Sequence, residues 1–157
     1  MSAMVGELAS EFSLPDTDAH LRWLSEFHRL GPVVLIFLPT VYGWRPRWQL
    51  WSVLRHYDHF VTMATEVVVL SGDPLPELRI FQIRRGFPFV FLCDRNGAVA
   101  RTYDIEPHGA GTAVIGTAGV IRHHRAARLG WRSSGALLLR VVRGLDSADR
   151  APLGSRT

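Results

Sequence analysis

A chain of 157 residues is long enough for one domain with a proper core and short for two. Hydrophobic content of 47% and five tryptophans exclude a disordered chain, and the longest apolar run, about eight residues, falls far short of the roughly 20 that span a bilayer. All 18 basic residues are arginine and they exceed the 14 acidic ones by four; no basic run interleaved with aromatics points to a nucleic acid. The single cysteine, Cys93, excludes an intramolecular disulfide and a multi-cysteine metal site. The first residues carry neither a basic region nor a signal-type apolar stretch, so a cytoplasmic protein is the expectation.

Residues 12–18 read as a short strand closed by a turn, with Asp16 and Asp18 as turn residues rather than an acid–base pair. Residues 21–27 form a short helical or irregular link, and Gly31-Pro32 punctuates before an apolar, β-branched run, 32–38, that reads as a buried central strand. The spacing of Leu50, Leu54, Tyr57 and Val61 predicts one amphipathic helix over residues 47–62. A second buried strand follows at 66–71. A helix over 75–84, capped by Asp73 and turning Leu78, Ile80 and Phe81 inward, should end at a left-handed Gly86. A third strand, 89–93, is followed by a turn at 94–97 and a short helix near 98–103. Residues 112–115 and 119–122 read as a hairpin, and 134–145 as a helix with an apolar stripe of Leu137, Leu138, Val141, Val142 and Leu145. Strands alternating with helices argue an α/β sandwich in one domain, 1–146, with 147–157 as a polar, flexible tail.

In that order, several segments match a known pattern. The opening Gly6-Glu7-Leu8-Ala9-Ser10-Glu11-Phe12-Ser13-Leu14-Pro15-Asp16 resembles "G-x-x-A-P-x-F-x-L-x-D", and Phe37-Leu38-Pro39 resembles "F-Y-P". Gln49-Leu50 and Tyr57-Asp58-His59-Phe60 fall where a following helix carries "Q-L" and "Y-x-x-F". Gly86-Phe87-Pro88-Phe89-Val90-Phe91-Leu92-Cys93-Asp94 resembles "G-L-P-F-P-L-L-S-D", and residues 97–103 resemble "G-x-V-A-R-A-Y". From Gly6 to Arg122 the chain resembles the peroxiredoxins of the alkyl hydroperoxide reductase and thiol-specific antioxidant family, bacterioferritin-comigratory type. The resemblance implies a thioredoxin-like three-layer sandwich, a central mixed β-sheet flanked by helices. It also implies antioxidant oxidoreductase chemistry and frequent homodimers.

The chemistry does not carry across. The family's motif is Pro, three residues, Thr, two residues, then the peroxidatic Cys; begun at Pro39, it puts Gly43 at the threonine and Pro46 at the cysteine. A thiolate must attack the peroxide, and proline has no sulfur. A resolving cysteine five residues on is Trp51, and the activating arginine falls near Ala110, where none stands. Proline suits the first turn of a helix, so Pro46 can keep the helix start while removing the reactivity. Trp44, Trp48 and Trp51 either pack into the core or a dimer contact, or, with Tyr42, Arg45 and Arg47, form a surface for a protein partner. The expectation is a catalytically inactive binding, regulatory or structural subunit. The alternative is an atypical thiol-dependent oxidoreductase using Cys93 or a partner's thiol, although Cys93 reads better as a buried, inert thiol. No cofactor or metal is expected: His56 and His59 share a helix face without further ligands, and His123 and His124 alternate across a strand.

Overall fold

A computed structural model describes residues 3–127 and 132–153. The uninterrupted apolar run becomes strand β3, Val33–Leu38, and all six of its residues are buried. Such a run suits a strand covered on both faces, and its alternation divides the core in two. Val34, Ile36 and Leu38 enter one hydrophobic cluster, while Val33, Leu35 and Phe37 enter the other.

Ahead of it stand a small antiparallel hairpin, β1 (Ser13–Pro15) and β2 (Leu21–Trp23), and a short helix α1, Leu24–His28. After β3 come α2 (Trp44–Leu54), α3 (Tyr57–Thr62), β4 (Glu66–Ser71), α4 (Leu75–Arg85) and β5 (Val90–Cys93). The chain continues with α5 (Ala98–Thr102), β6 (Ala110–Ile115), β7 (Ile121–Ala127), α6 (Gly135–Arg143) and α7 (Ser147–Arg150). The main sheet has the order β5-β4-β3-β6-β7; β3, β4 and β5 run parallel, and β6 and β7 are antiparallel additions. Leu50, Val53, Phe60, Leu78, Phe81 and Leu138 bring α2, α3, α4 and α6 onto one face; Phe12, Leu24, Phe27, Val99 and Tyr103 cover the other. The result is a three-layer sandwich around a mixed sheet.

The structure departs from the sequence expectations in a few places. The helix expected over 47–62 is two helices beginning at Trp44, broken at Arg55 and His56; His56 leaves helical geometry at φ −111°, ψ 10°. The break lets Val53 and Phe60 both reach the core, and Val61 is left exposed. Ile80 points outward, because it lies about 200° around the helix from Leu78. Residues 21–23 are a strand, not a link. Pro74, not Asp73, caps α4, and the Asp73 carboxylate turns back toward the loop after β3. The tail expected from 147 onward is docked over its described part. Asp149 is buried against the hairpin turn, where its Oδ2 pairs with Arg122 Nε at 3.0 Å and its carbonyl accepts from Thr117 N at 2.9 Å. Residues 154–157 lie outside the described residues.

Helix α6 crosses α2 closely enough that Gly135 is required. A Cβ there would stand 2.2 Å from the Ser52 carbonyl oxygen. Ser134 caps α6 by accepting from Leu137 N at 3.1 Å.

Candidate functional site

The loop leaving β3 and the first turn of α2 occupy the carboxyl end of the central strand, where open α/β sheets place their chemistry. Pro39 packs against the start of the next crossover: a Cβ on Gly72 would lie 2.7 Å from the Pro39 carbonyl oxygen. The loop is then tied down by one carboxylate. Asp73 accepts from Thr40 Oγ1 at 2.7 Å, from Val41 N at 2.8 Å and from Ser71 Oγ at 2.6 Å. Thr40 Oγ1 in turn accepts from Tyr42 N at 3.1 Å. Because Val41 and Ser71 are fully buried, these bonds satisfy donors that water cannot reach.

Gly43 precedes the helix with φ 113°, ψ 166°, a region that side chains rarely adopt. Trp44, Arg45 and Pro46 fill the first turn. Pro46 is buried, and its missing N–H falls among the four at a helix start that have no intrahelical acceptor. The Arg47 amide makes the first turn-closing bond, to Gly43 O at 3.4 Å. On the register begun at Pro39, the motif's cysteine falls at Pro46, whose ring fits the helix start.

Residues four and three apart share a helix face, and Trp44, Trp48 and Trp51 are exposed by 71%, 54% and 59%. They do not pack into the core. The Arg45 guanidinium lies 5.2 Å from the Trp44 ring centroid, and Arg47 stands exposed on the other flank. Tyr42 separates from this group: its ring meets Phe81 edge-on at 5.6 Å, and its hydroxyl donates to Glu77 O at 3.2 Å.

Cys93 lies at the end of β5, two strands from β3, and is buried. Its thiol donates to Asp73 O at 3.3 Å, and burial pushes its pKa up, against a smaller lowering by the Arg95 charge. Among the described residues no group of three or more His, Cys, Asp or Glu side chains could hold a metal ion. His59 accepts from Arg143 Nη2 at 3.4 Å; His123 Nε2 faces Thr112 Oγ1 at 3.3 Å, while His124 reaches Tyr103 O from the opposite face.

No arginine stands on β6 near Ala110, but another reaches the neighbouring residues. Arg132, between β7 and α6, lines a tight pocket with Gly111 and Thr112 of β6 and Gln49 of α2. Burial, and then the Arg45 charge, lower its pKa. Nothing in the sequence pattern marks Arg132, because its placement depends on the return of the chain after β7.

A mixed β5-β4-β3-β6-β7 sheet between helical layers, with a loop-to-helix corner after the central strand, defines a thioredoxin-like fold of the peroxiredoxin type. Comparison with known proteins agrees: the sequence model of the AhpC/TSA family matches residues 5–124, and the chain belongs to that family. It is 29% identical over 125 residues to alkyl hydroperoxide reductase E of Mycobacterium tuberculosis, covering 75% of this chain and 82% of the relative; the Mycobacterium bovis protein of the same name matches equally. The crystal structure of peroxidoxin BcpB from Mycobacterium tuberculosis superposes with a TM-score of 0.81 at 25% identity, covering 91% of this chain and 98% of that one. Reduced 2-Cys peroxiredoxin of Plasmodium vivax shares the fold with a TM-score of 0.78 at 18% identity, over 88% of this chain and 80% of that one.

Proposed function

We propose that this protein is a member of the AhpC/TSA family without peroxidase activity, serving as a binding subunit that meets its protein partner through the exposed face of α2. The observation that carries the reading is Pro46, buried in the first turn of α2 where the family's motif calls for the reactive cysteine. Support also comes from Gly43, whose φ of 113° disfavours the motif's threonine, and from Cys93, whose thiol is buried and donates to a carbonyl. Peroxiredoxins without a peroxidatic thiolate have no group to take the peroxide oxygen. The Trp44, Trp48 and Trp51 stripe flanked by Arg45 and Arg47 has the composition of an interface anchor.

The test is hydrogen peroxide and organic hydroperoxide consumption by purified protein with an external thiol reductant, alongside labelling of Cys93. No turnover above the protein-free rate is expected, and labelling should be slow until denaturant is added. Turnover abolished by Cys93→Ser would refute the non-catalytic reading. For the binding face, the protein is recovered from its host beside a Trp44→Ser/Trp48→Ser variant. A companion lost only in the variant supports the face; one retained by both removes it. Sedimentation of both forms then shows whether that companion is a second copy of this chain.

A further inference from the structure

The chain runs from β5 back to β6 by way of α5, on the face of the sheet opposite α2. This return reverses the strand order and encloses a cleft at the carboxyl ends of β3 and β4. Open α/β sheets bind ligands at such a reversal. The floor of the cleft is apolar: Phe37 of β3, Leu70 of β4 and Ile105, on the way into β6, line it and are each 2% exposed. Residues 105–109 form one wall. That wall is a closed turn, in which Gly109 N donates to Glu106 O at 2.8 Å and His108 holds a left-handed φ of 60° without being glycine. The cleft has a volume of about 270 Å³, present without the movement of any side chain. A cavity of about 150 Å³ holds a benzene, so this one has room for a ring-sized apolar body with a short polar group attached.

The rim decides what that polar group is. Arg95 and Arg101 line the cleft, and each spends Nη1 on a carbonyl: Arg95 on Gly72 O at 3.0 Å, Arg101 on Asn96 O at 2.8 Å. These bonds hold both guanidiniums at the rim but leave their charge uncompensated, since neither joins any of the four ion pairs among the described residues. Of the two carboxylates in the lining, Asp94 is 5% exposed and is taken up by Val99 N at 3.2 Å and Ala100 N at 3.0 Å, in α5. Glu106 is the other, and it is exposed. The open rim therefore carries two guanidiniums against one carboxylate, a single net positive charge. A cation would meet both arginines, and a neutral apolar molecule would leave them without a counterion. Phosphate would bring more than one negative charge and set a hydrated ion against an apolar floor. We propose that the cleft binds a small organic monocarboxylate with a ring-sized apolar body. Its carboxylate accepts from the remaining nitrogens of Arg95 and Arg101, and its body rests on Phe37, Leu70 and Ile105. The site lies across the sheet from α2 and rests neither on the binding face there nor on the loss of peroxidase activity.

Calorimetric titration and amide NMR with phenylacetate, phenethyl alcohol, acetate and phenethylamine at matched ionic strength test the assignment. Phenylacetate should bind saturably and shift the amides of residues 95–101 and 105–109. Phenethyl alcohol keeps the ring and loses the charge, so it should bind about tenfold more weakly for want of charge-assisted hydrogen bonds. Acetate, which lacks the apolar body, should bind at least about tenfold more weakly as well, and phenethylamine should not bind. The double variant Arg95→Gln/Arg101→Gln changes two exposed side chains, so its Tm should match the parent's while phenylacetate falls to the affinity of phenethyl alcohol. Absence of saturable phenylacetate binding would overturn the site. Equal affinity for phenethyl alcohol in the parent, or a preference for phenylacetate that survives in the double variant, would overturn the role of the two arginines and the assignment with it. Shifts centred on α2 instead would place the ligand on the tryptophan face and refute the cleft.

Discussion

Replacing Asp73 with alanine should unfasten the loop between β3 and α2 without touching the core beneath it. The carboxylate accepts from Val41 N at 2.8 Å, Ser71 Oγ at 2.6 Å and Thr40 Oγ1 at 2.7 Å. Thr40 is partly exposed and can turn to water, whereas Val41 and Ser71 are fully buried and would be left with unpaired donors. A buried donor deprived of its acceptor costs about 1–3 kcal/mol, so two orphaned donors should cost about 2–6 kcal/mol, with relief from burying a carboxylate placing the net near 3 kcal/mol. That is a large share of the roughly 5–15 kcal/mol that holds a domain together. Asp73→Asn keeps the shape and, with its amide oxygen at the Oδ2 position, the acceptor for Val41 N and Ser71 Oγ, while Thr40 Oγ1 turns to accept from the amide nitrogen, so it should cost about 1 kcal/mol. Urea unfolding followed by tryptophan fluorescence measures both, and hydrogen exchange at the Val41 amide reports the loop locally. If Asp73→Ala costs under about 1 kcal/mol with the Val41 amide still protected, the carboxylate is not what holds the loop.

Two further predictions rest on single residues. Glycine to alanine in a helix ordinarily stabilises by about 0.5–1 kcal/mol, but Gly135→Ala should destabilise by about 1–3 kcal/mol or more, because its Cβ would press 2.2 Å from Ser52 O; a Tm equal to or above the parent's would contradict the α2–α6 contact. Burial, with a smaller contribution from Glu11, raises the Tyr103 pKa above its ordinary value. Its stabilising contribution is therefore complete below about pH 10 and lost as pH rises past the unfolded-state value, since the unfolded chain releases the proton first. Tyr103→Phe should lose about 1 kcal/mol at neutral pH with the Ser10 carbonyl bond (2.8 Å) and show a shallower alkaline decline; an identical decline in both proteins would refute the assignment.

The parts of the fold legible in the sequence are those built from local pattern. The strand at 66–71 has the observed bounds and β3 lies within the run at 32–38, because β-branched runs without polar interruption suit only a strand covered on both faces. Gly86 adopts φ 67° as a helix-ending glycine should. What the pattern hid depends on distant partners. Leu21–Trp23 has its outer residues exposed, so no burial alternation marked it as a strand; it is one because Ser13–Pro15 lies beside it. Asp73 has the chemistry of a helix cap, yet two donors from the loop after β3 and one from β4 claim its oxygens. Arg132 and Asp149 carry no periodic signal at all. Each is placed by chain return, Arg132 against Gln49 and Asp149 against Arg122. The motif register was the reverse case: Pro39, Gly43 and Pro46 could be placed from spacing along the chain alone, with no distant partner needed.

The substitutions at that motif agree with one another physically. Pro46 sits where a helix needs no N–H, Gly43 at a φ that glycine tolerates, and Trp51 on a face turned to solvent. The backbone at these positions therefore suits the residues that occupy it. A peroxidatic thiolate depends on a helix N-terminus and a nearby arginine to hold its negative charge. Here the 11-residue α2 begins without an acidic side chain, and Arg132, its pKa lowered by burial and then by the Arg45 charge, packs beside Gln49 in a pocket with no carboxylate in its lining.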